Sequence, residues 1–504
     1  MSIRVSFEYG LYLCRCSFEQ RHVPQNVGFV RNPMTKEYET RKLSVAIRLR
    51  DYFDDSAKRQ IGKNSIEMTP WPDAILIPPK QNLRPFQEAG ARFALNRNHS
   101  YLAFEQGLGK TPTAISIINT IGLPTLIVCP PFLVENWKRE LRLWDMSQNL
   151  GQIESGKQVT INGKADAILL PDSLLDHPLV QKYIAGQDFG LLVIDEAHRY
   201  KNPKAARTKA LLNNIASVIP KIVLLSGTPM PNRPIELYPV LARFAHNLID
   251  FMTYHEFGLE YCAAFESKFG WDYTGSANLD KLNEKLSDFM LRALKANVLP
   301  ELQAKEERTI VLNKPLSMEL KKAHNKFLNR SDIEELTKNP LGEMAGLRRG
   351  LGIFKAPLVA EYVLDLLEST NESLLLFAWH LDVIEALEKS LSKYKPRVVT
   401  GGVNQKAKQL EIDAFQNGKS RVLIGQISTM VGHNLTKATR VIFAEYSWVP
   451  ADNDQAADRA HRIGQKDLVV VDYLVLARTL DEDVLDSLLN KKRVINRTIN
   501  KRSL

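Results

Sequence analysis

The sequence predicts an α/β protein of two parallel-sheet lobes with a helical insertion and a small α+β domain at the amino-terminal end. Three observations carry that expectation. From Leu83 onward, apolar strand-like runs alternate with amphipathic helical ones, the pattern of a sheet buried between layers of helices. The alternation breaks off near His246 and resumes after Lys355. The 504 residues also exceed what one hydrophobic core ordinarily serves.

Residues 1–80 mix short strand-like stretches, such as residues 3–7, with a helix-like stretch at 44–60. They end in the proline-rich stretch 69–79, which reads as a linker, so an accessory domain is expected there. Residues 81–245 hold strand-like runs at 101–104, 125–129, 167–170, 191–194 and 222–225, the first lobe. Residues 246–355 read as a helical insertion and linker, with long helical stretches at 278–296 and 316–338. Runs at 373–377, 397–400, 421–424, 441–444 and 469–476 place the second lobe at 356–504. No short internal repeat interrupts this order.

A hydrophobic content of 44% and a charged content of 25% suit a soluble globular chain, and no window approaches the roughly 18 apolar residues of a membrane span. The stretch from Met1 to Tyr12 alternates apolar and polar residues, unlike a secretory signal. The cytosol or nucleus is therefore expected. Cys14, Cys16, Cys129 and Cys262 form no paired ligand set, so reduced thiols are expected rather than disulfides or zinc. The formal charge of +10 fits either a polyanionic partner or an ordinary basic surface. Lys491, Lys492, Arg493, Arg497, Lys501 and Arg502 follow Asp486 without another acid, as a solvated helix end or a phosphate-contacting tail.

The residues that carry chemistry lie at strand ends. Gly107-Leu108-Gly109-Lys110-Thr111 follows a short apolar run and precedes a helical one, the setting in which backbone N–H groups and a helix N-terminus cradle phosphates. Lys110 would pair with the β- and γ-phosphates and Thr111 with magnesium. The strict phosphate-loop pattern is not met, because Phe104 stands where its first glycine would be. Asp195-Glu196-Ala197-His198 emerges after Leu191–Ile194, at the carboxyl edge where open α/β sheets bind ligands. Asp195 can hold magnesium and Glu196 can orient and deprotonate a water; a helix-capping pair is the plainer alternative. Ser226-Gly227-Thr228-Pro229 reads alone as a strand-ending turn. Downstream, Gln455, Asp458, Arg459, His461, Arg462, Gly464 and Gln465 cluster, with Arg459 and Arg462 three apart and so expected on one helix face. If the lobes close, these two could act as arginine fingers; otherwise they are surface charges.

Taken in order, these segments resemble the motif series of superfamily 2 helicases, specifically the Snf2-like group, from Leu83 to about Asn490. Leu83-Arg84-Pro85-Phe86-Gln87 resembles the adenine-recognition motif, residues 107–111 motif I, and residues 130–141 with Trp137 motif Ia. Asp195–His198 with Tyr200-Lys201-Asn202 resembles motif II, and residues 226–229 with Asn232 resemble motif III. Leu376-Phe377-Ala378-Trp379-His380 resembles motif IV, residues 428–435 motif V, and residues 455–465, with His461-Arg462-Ile463-Gly464-Gln465, motif VI. Arg292, Lys295 and Val298-Leu299-Pro300 resemble the segment that joins the helical insertion to the second lobe. Phe104 and, in motif V, His433 depart from the group's usual residues.

The resemblance implies two RecA-like domains, with ATP and magnesium between them and DNA, double-stranded or branched, across both. Carried over residue by residue, it implies Lys110, Glu196, Arg459 and Arg462 as catalytic groups. Arg84, Gln87, Gly107, Leu108, Gly109, Lys110, Thr111, Gly432, Asn434 and Gln455 would bind ATP, and Thr111 and Asp195 the metal. His198, Ser226, Thr228 and Gln465 would couple hydrolysis to movement, and Trp137, Lys138, His380 and Thr429 would touch DNA, although Trp137 also suits a core position. Pro229–Pro234 and Phe443-Ala444-Glu445 resemble the fork-remodelling, annealing-helicase branch. Residues 22–52 resemble that branch's small DNA-structure-recognising domain, or else a generic packing domain. The compact chain suggests a bacterial or bacteriophage source. A motor that displaces DNA-bound proteins, and a non-catalytic DNA-structure binder, are the alternatives.

Overall fold

The computed structural model describes residues 3–8, 11–16, 30–31, 38–40, 82–144, 149–156, 159, 165–268, 270–328, 342–429, 434–500 and 503. The helix-like stretch at 44–60, the proline-rich linker, Gly432 and His433 lie outside them. At the amino-terminal end, β1 (Arg4–Glu8), β2 (Leu11–Arg15), β3 (Val30–Arg31) and β4 (Tyr38–Thr40) form an antiparallel sheet in the order β1-β2-β4-β3.

The first lobe follows in βα alternation. Its elements are α1 (Pro85–Leu95), β5 (His99–Phe104), α2 (Lys110–Ile121), β6 (Thr125–Cys129), α3 (Val134–Leu143), β7 (Leu150–Gln152), β8 (Ala167–Pro171), α4 (Pro178–Ala185), β9 (Leu191–Asp195) and β10 (Lys221–Leu225). Then come α5 (Tyr238–Phe244), α6 (Tyr254–Cys262), the hairpin β11 (Phe265–Ser267) and β12 (Gly270–Asp272), α7 (Leu279–Leu286) and β13 (Met290–Ala293). The lobe's seven strands run parallel in the order β13-β5-β10-β9-β6-β8-β7. Successive residues point to opposite faces, so Tyr101, Leu126, Leu192 and Ile194 join one core while Leu102, Ile127, Leu191 and Val193 join another. Burial on both faces explains why these strands are continuous apolar runs.

The second lobe repeats the plan with β14 (Glu306–Leu312), α8 (Met318–Leu328), α9 (Gly342–Ser369), β15 (Leu374–Ala378), α10 (Leu381–Ser390), β16 (Arg397–Val399), α11 (Gln405–Gln416), β17 (Val422–Gln426), β18 (Arg440–Phe443), α12 (Pro450–Ala457), β19 (Val470–Leu476) and α13 (Leu480–Ile495). Its parallel order is β14-β19-β18-β15-β17-β16. Two cores again flank the sheet, with Leu375 and Phe377 on one side and Leu374 and Leu376 on the other.

The stretch 246–355 is less purely helical than its sequence suggests. Residues 278–296 split into α7 and the strand β13, which closes the edge of the first sheet beside β5. The missed strand β14 lines the edge of the second sheet, and its charged, largely exposed residues conceal it, as is usual for an edge strand. Helix α9 runs unbroken across the expected lobe boundary at 355, with Pro357 inside it.

The described part of the basic carboxyl-terminal run packs against both lobes. Helix α13 starts in the second lobe's core through Leu480, Val484 and Leu488, and the turn after it buries Ile499 in the first lobe's core. Lys492 pairs with Glu307 and Asp454 at 2.9 Å, and Arg497 pairs with Asp280 at 2.5 Å. Asn283 donates to the Thr498 carbonyl at 2.8 Å. Lys501 and Arg502 lie outside the described residues. No helix among the described residues is long and apolar enough to cross a membrane, and the four cysteines are free thiols.

Candidate active site

The lysine loop joins the end of β5 to the start of α2. Gly107 and Gly109 take positive φ values of 86° and 76°, and Lys110 begins the helix. Phe104, in place of the loop's usual glycine, is fully buried and packs edge-on against Phe86 at 5.8 Å. Its carbonyl accepts from Lys110 Nζ at 3.1 Å. The Lys110 ammonium is buried, and burial lowers its pKa against the opposing pull of Glu196 and Asp195. Gln87 braces the loop by donating to the Leu108 carbonyl at 3.0 Å, while its Oε1 accepts from the Arg84 backbone at 2.8 Å. The Arg84 guanidinium is paired with Glu301.

Strand β9 delivers the acidic pair to the same sheet edge. Asp195 Oδ1 accepts from the Glu196 backbone and Oδ2 from the Trp137 indole, both at 2.9 Å. Trp137 is fully buried in the core, so the expectation that it touches DNA is corrected: its ring is packed inside and its N–H is spent on Asp195. Burial, with the charge of Glu196, raises the Asp195 pKa above the usual carboxylate range. Burial also opposes the Glu196 carboxylate, but His198, Lys110 and Arg459 outweigh it and hold that pKa low. Glu196 sits at φ 50°, a left-handed conformation that costs a non-glycine residue roughly 1–2 kcal/mol, as functional sites often tolerate. Its Oε2 is buried without a hydrogen-bond partner among the described residues. His198 Nδ1 lies 3.3 Å from that oxygen and 2.8 Å from Ser226 Oγ, which accepts from the Thr228 backbone at 3.1 Å. The motif II and motif III segments thus meet through one histidine.

From the second lobe, the turn after α12 brings Arg459 and Arg462 to this edge. They do not share a helix face, because α12 ends at Ala457. A methyl placed on Gly107 would lie 2.6 Å from Arg462 Cγ, so the lobes meet at the loop itself. Burial, then repulsion from Arg462, lowers the pKa of Arg459. A buried guanidinium, that of Arg459, a half-buried one, that of Arg462, and the buried Lys110 ammonium beside an acidic pair suit a polyanion that brings its own cation. Gln455 borders a cavity of about 270 Å³ that it shares with Glu196, His198 and Asp452. Thr111 stands in the first turn of α2.

The other expected residues lie away from this cluster. Gln465 is used inside its own lobe, donating to the Thr436 and Ala438 carbonyls at 2.9 Å and accepting from the Lys466 and Asp467 backbones at 3.0 Å. Asn434 is exposed, and Gly432 lies outside the described residues. Lys138 pairs with the exposed Glu135 at 2.9 Å. His380 contacts Glu445 at 2.8 Å, and Thr429 donates to the Gln426 carbonyl at 2.9 Å. Glu105, Lys305 and Asp454 were missed, and no local signal marks them, since their partners lie far along the chain.

The chain is similar to several known proteins. "SWI/SNF-related matrix-associated actin-dependent regulator of chromatin subfamily A-like protein 1" of Xenopus laevis is 33% identical over 432 residues, which are 82% of this chain and 44% of that protein. "DNA annealing helicase and endonuclease ZRANB3" of Bos taurus is 33% identical over 452 residues, 84% of this chain and 41% of that protein. The chain therefore spans less than half the length of these relatives. The solved Sulfolobus solfataricus SWI2/SNF2 ATPase core in complex with dsDNA matches at 24% identity and a TM-score of 0.40, over 85% of this chain and 93% of that one. The helicase conserved C-terminal domain matches residues 358–464. The SNF2-related domain matches residues 86–354, more than half of the chain, and the chain belongs to that family.

Proposed function

We propose that the chain is an ATP-driven DNA translocase that remodels branched DNA by fork regression, branch migration or strand annealing, in replication, recombination or repair. The observation that carries this reading is the meeting of Lys110, Asp195 and Glu196 from one lobe with Arg459 and Arg462 from the other. The similarity to a named annealing helicase supports the choice of substrate.

The residues fit ATP with magnesium. The glycine-rich turn and α2 N-terminus offer N–H groups to phosphate, and the buried Lys110 calls for an anion. Magnesium ordinarily takes one or two protein oxygens plus phosphate oxygens, which Asp195 and Thr111 can supply. When bound, the ion would neutralise charge on the transferred phosphoryl group. Lys110 holds the phosphates, and the Glu196 carboxylate, flanked by His198, orients and deprotonates the attacking water. Arg459 and Arg462 stabilise the charge of the transition state. His198 relays the state of Glu196 to Ser226 and Thr228. Gln87 acts on the nucleotide through the loop it braces, and Gln455 borders the same space. Lys138, His380 and Thr429 are proposed DNA contacts. Because phosphate contacts dominate such tracking, binding should weaken as salt rises and be largely indifferent to sequence.

The test is ATP turnover and branch migration measured with forks, Holliday junctions, linear duplex and single strands. Junctions and forks should stimulate turnover most. Lys110→Ala and Arg462→Ala should slow it severely, and full DNA-stimulated hydrolysis in either variant would show that the site is assigned wrongly.

A further inference from the structure

The segment between the lobes ties together parts of the site that are distant in sequence. Arg292 Nη1, on β13, donates to the carbonyls of Ala103 at 2.7 Å and Gly227 at 2.9 Å. Two residues beyond the strand, the Lys295 backbone donates to Glu105 Oε2, just ahead of the lysine loop. The Lys295 side chain then crosses to the second lobe. Its Nζ donates to the His461 carbonyl at 2.5 Å and lies 3.1 Å from Asp458 Oδ1.

The place of those two acceptors gives the contact its meaning. Asp458 directly precedes Arg459, and His461 stands between Arg459 and Arg462. Helix α12 has ended at Ala457, so the turn that carries both arginines has carbonyls without helical partners and faces the negative end of the helix dipole. An ammonium placed there answers both. Asp458 has a second lysine as well, Lys305, at 3.3 Å. Lys305 adjoins β14 and so travels with the second lobe, and it can neutralise the buried carboxylate by itself. What Lys295 adds is a bond across the interface.

We infer that Lys295 is a positioning residue: by gripping Asp458 and the His461 carbonyl, it sets Arg459 and Arg462 against the triphosphate site when the lobes close. The inference rests on the ATPase reading above and assigns that site a member outside the nucleotide pocket. A displacement of about 1 Å in a catalytic group can cost on the order of 100-fold in rate. Loss of this grip should therefore act on the transition state and spare ground-state binding.

The experiment compares the full chain with Lys295→Met, Lys295→Arg and Asp458→Asn. It measures DNA-stimulated kcat, KM for ATP, and affinity for ADP and for ADP–aluminium fluoride. Lys295→Met should lower kcat by about 10- to 100-fold and aluminium-fluoride affinity in parallel. ADP affinity should stay within about threefold of the starting chain, a split that mere structural damage does not produce. Lys295→Arg should recover part of both losses. Wild-type turnover in Lys295→Met, or an equal fall in ADP and aluminium-fluoride affinity, overturns the inference. If Lys295→Met does not fold, Asp458→Asn decides on the same pair of affinities. A starting chain that hydrolyses no ATP with any DNA removes the functional reading itself, and this inference with it.

Discussion

The Trp137 indole N–H donates to Asp195 Oδ2 at 2.9 Å from a position wholly inside the first lobe. Outer partners of this kind orient a metal-binding carboxylate, and their loss typically costs about 10- to 100-fold in metal affinity or activity. Trp137→Phe keeps a ring in the core and removes the donor. The expected result is a higher magnesium concentration for half-maximal turnover, with turnover down about tenfold. An unchanged magnesium dependence would make Trp137 a packing residue alone.

This residue also marks the limit of what the sequence disclosed. The lysine loop and the acidic pair were legible because each is a short run at the end of an apolar strand, and β6 at residues 125–129 was delimited outright. For Trp137 the sequence left DNA contact and core position open, and its bond to Asp195, 58 residues away, leaves no local trace. The same holds for Lys305, whose partner Asp458 is 153 residues distant. Strand β14 was hidden by its edge position, which fills it with charge. Arg459 and Arg462 were found as a pair, but spacing alone placed them on a helix that stops two residues earlier.

The contact of the carboxyl-terminal turn with the first lobe has a measurable consequence for stability. Ile499 is 3% exposed and belongs to that lobe's core, although the helix before it begins in the other. Truncating a buried isoleucine to alanine costs about 2–5 kcal/mol through lost burial and the cavity left behind. Ile499→Ala should therefore lower the denaturation midpoint of the first lobe, while Leu489→Ala, at an exposed position of α13 ahead of that turn, should not. Equal midpoints for both variants would argue against the docking of this turn.

Glu445 gives the second lobe a dependence on pH. Burial opposes its charge, but His380 and the backbone N–H groups of Trp379 and His380 outweigh it and hold the pKa below the ordinary 4.5. For a carboxylate whose pKa is lower in the folded state, the unfolded chain binds the proton first as pH falls. The stabilisation is complete at neutral pH, above the ordinary carboxylate pKa, and is lost as pH falls through the lowered pKa of the folded state. Glu445→Gln should be less stable near pH 7 by about 1–3 kcal/mol and should lose less stability on acidification. Parallel pH profiles for the two proteins would remove Glu445 from the account.

The two loop glycines should fail in different ways when substituted, because each approaches a different lobe. A methyl on Gly109 would lie 2.2 Å from Gln87 Nε2, within the first lobe. A methyl on Gly107 would lie 2.6 Å from Arg462 Cγ, across the interface. Both positions have positive φ, so alanine adds roughly 1–2 kcal/mol of backbone strain in either case. Gly109→Ala should therefore weaken ADP binding and turnover together, since it disturbs the loop that would hold phosphate. Gly107→Ala should lower turnover more than ADP affinity, since it pushes away a group needed only when the lobes close. Removing the colliding side chain tests the cause. In Arg462→Ala, already slow, adding Gly107→Ala should cost less than it does alone, and the double-mutant cycle should give a coupling of about 0.5–3 kcal/mol. Strict additivity would mean that Gly107 and Arg462 do not meet in the working enzyme.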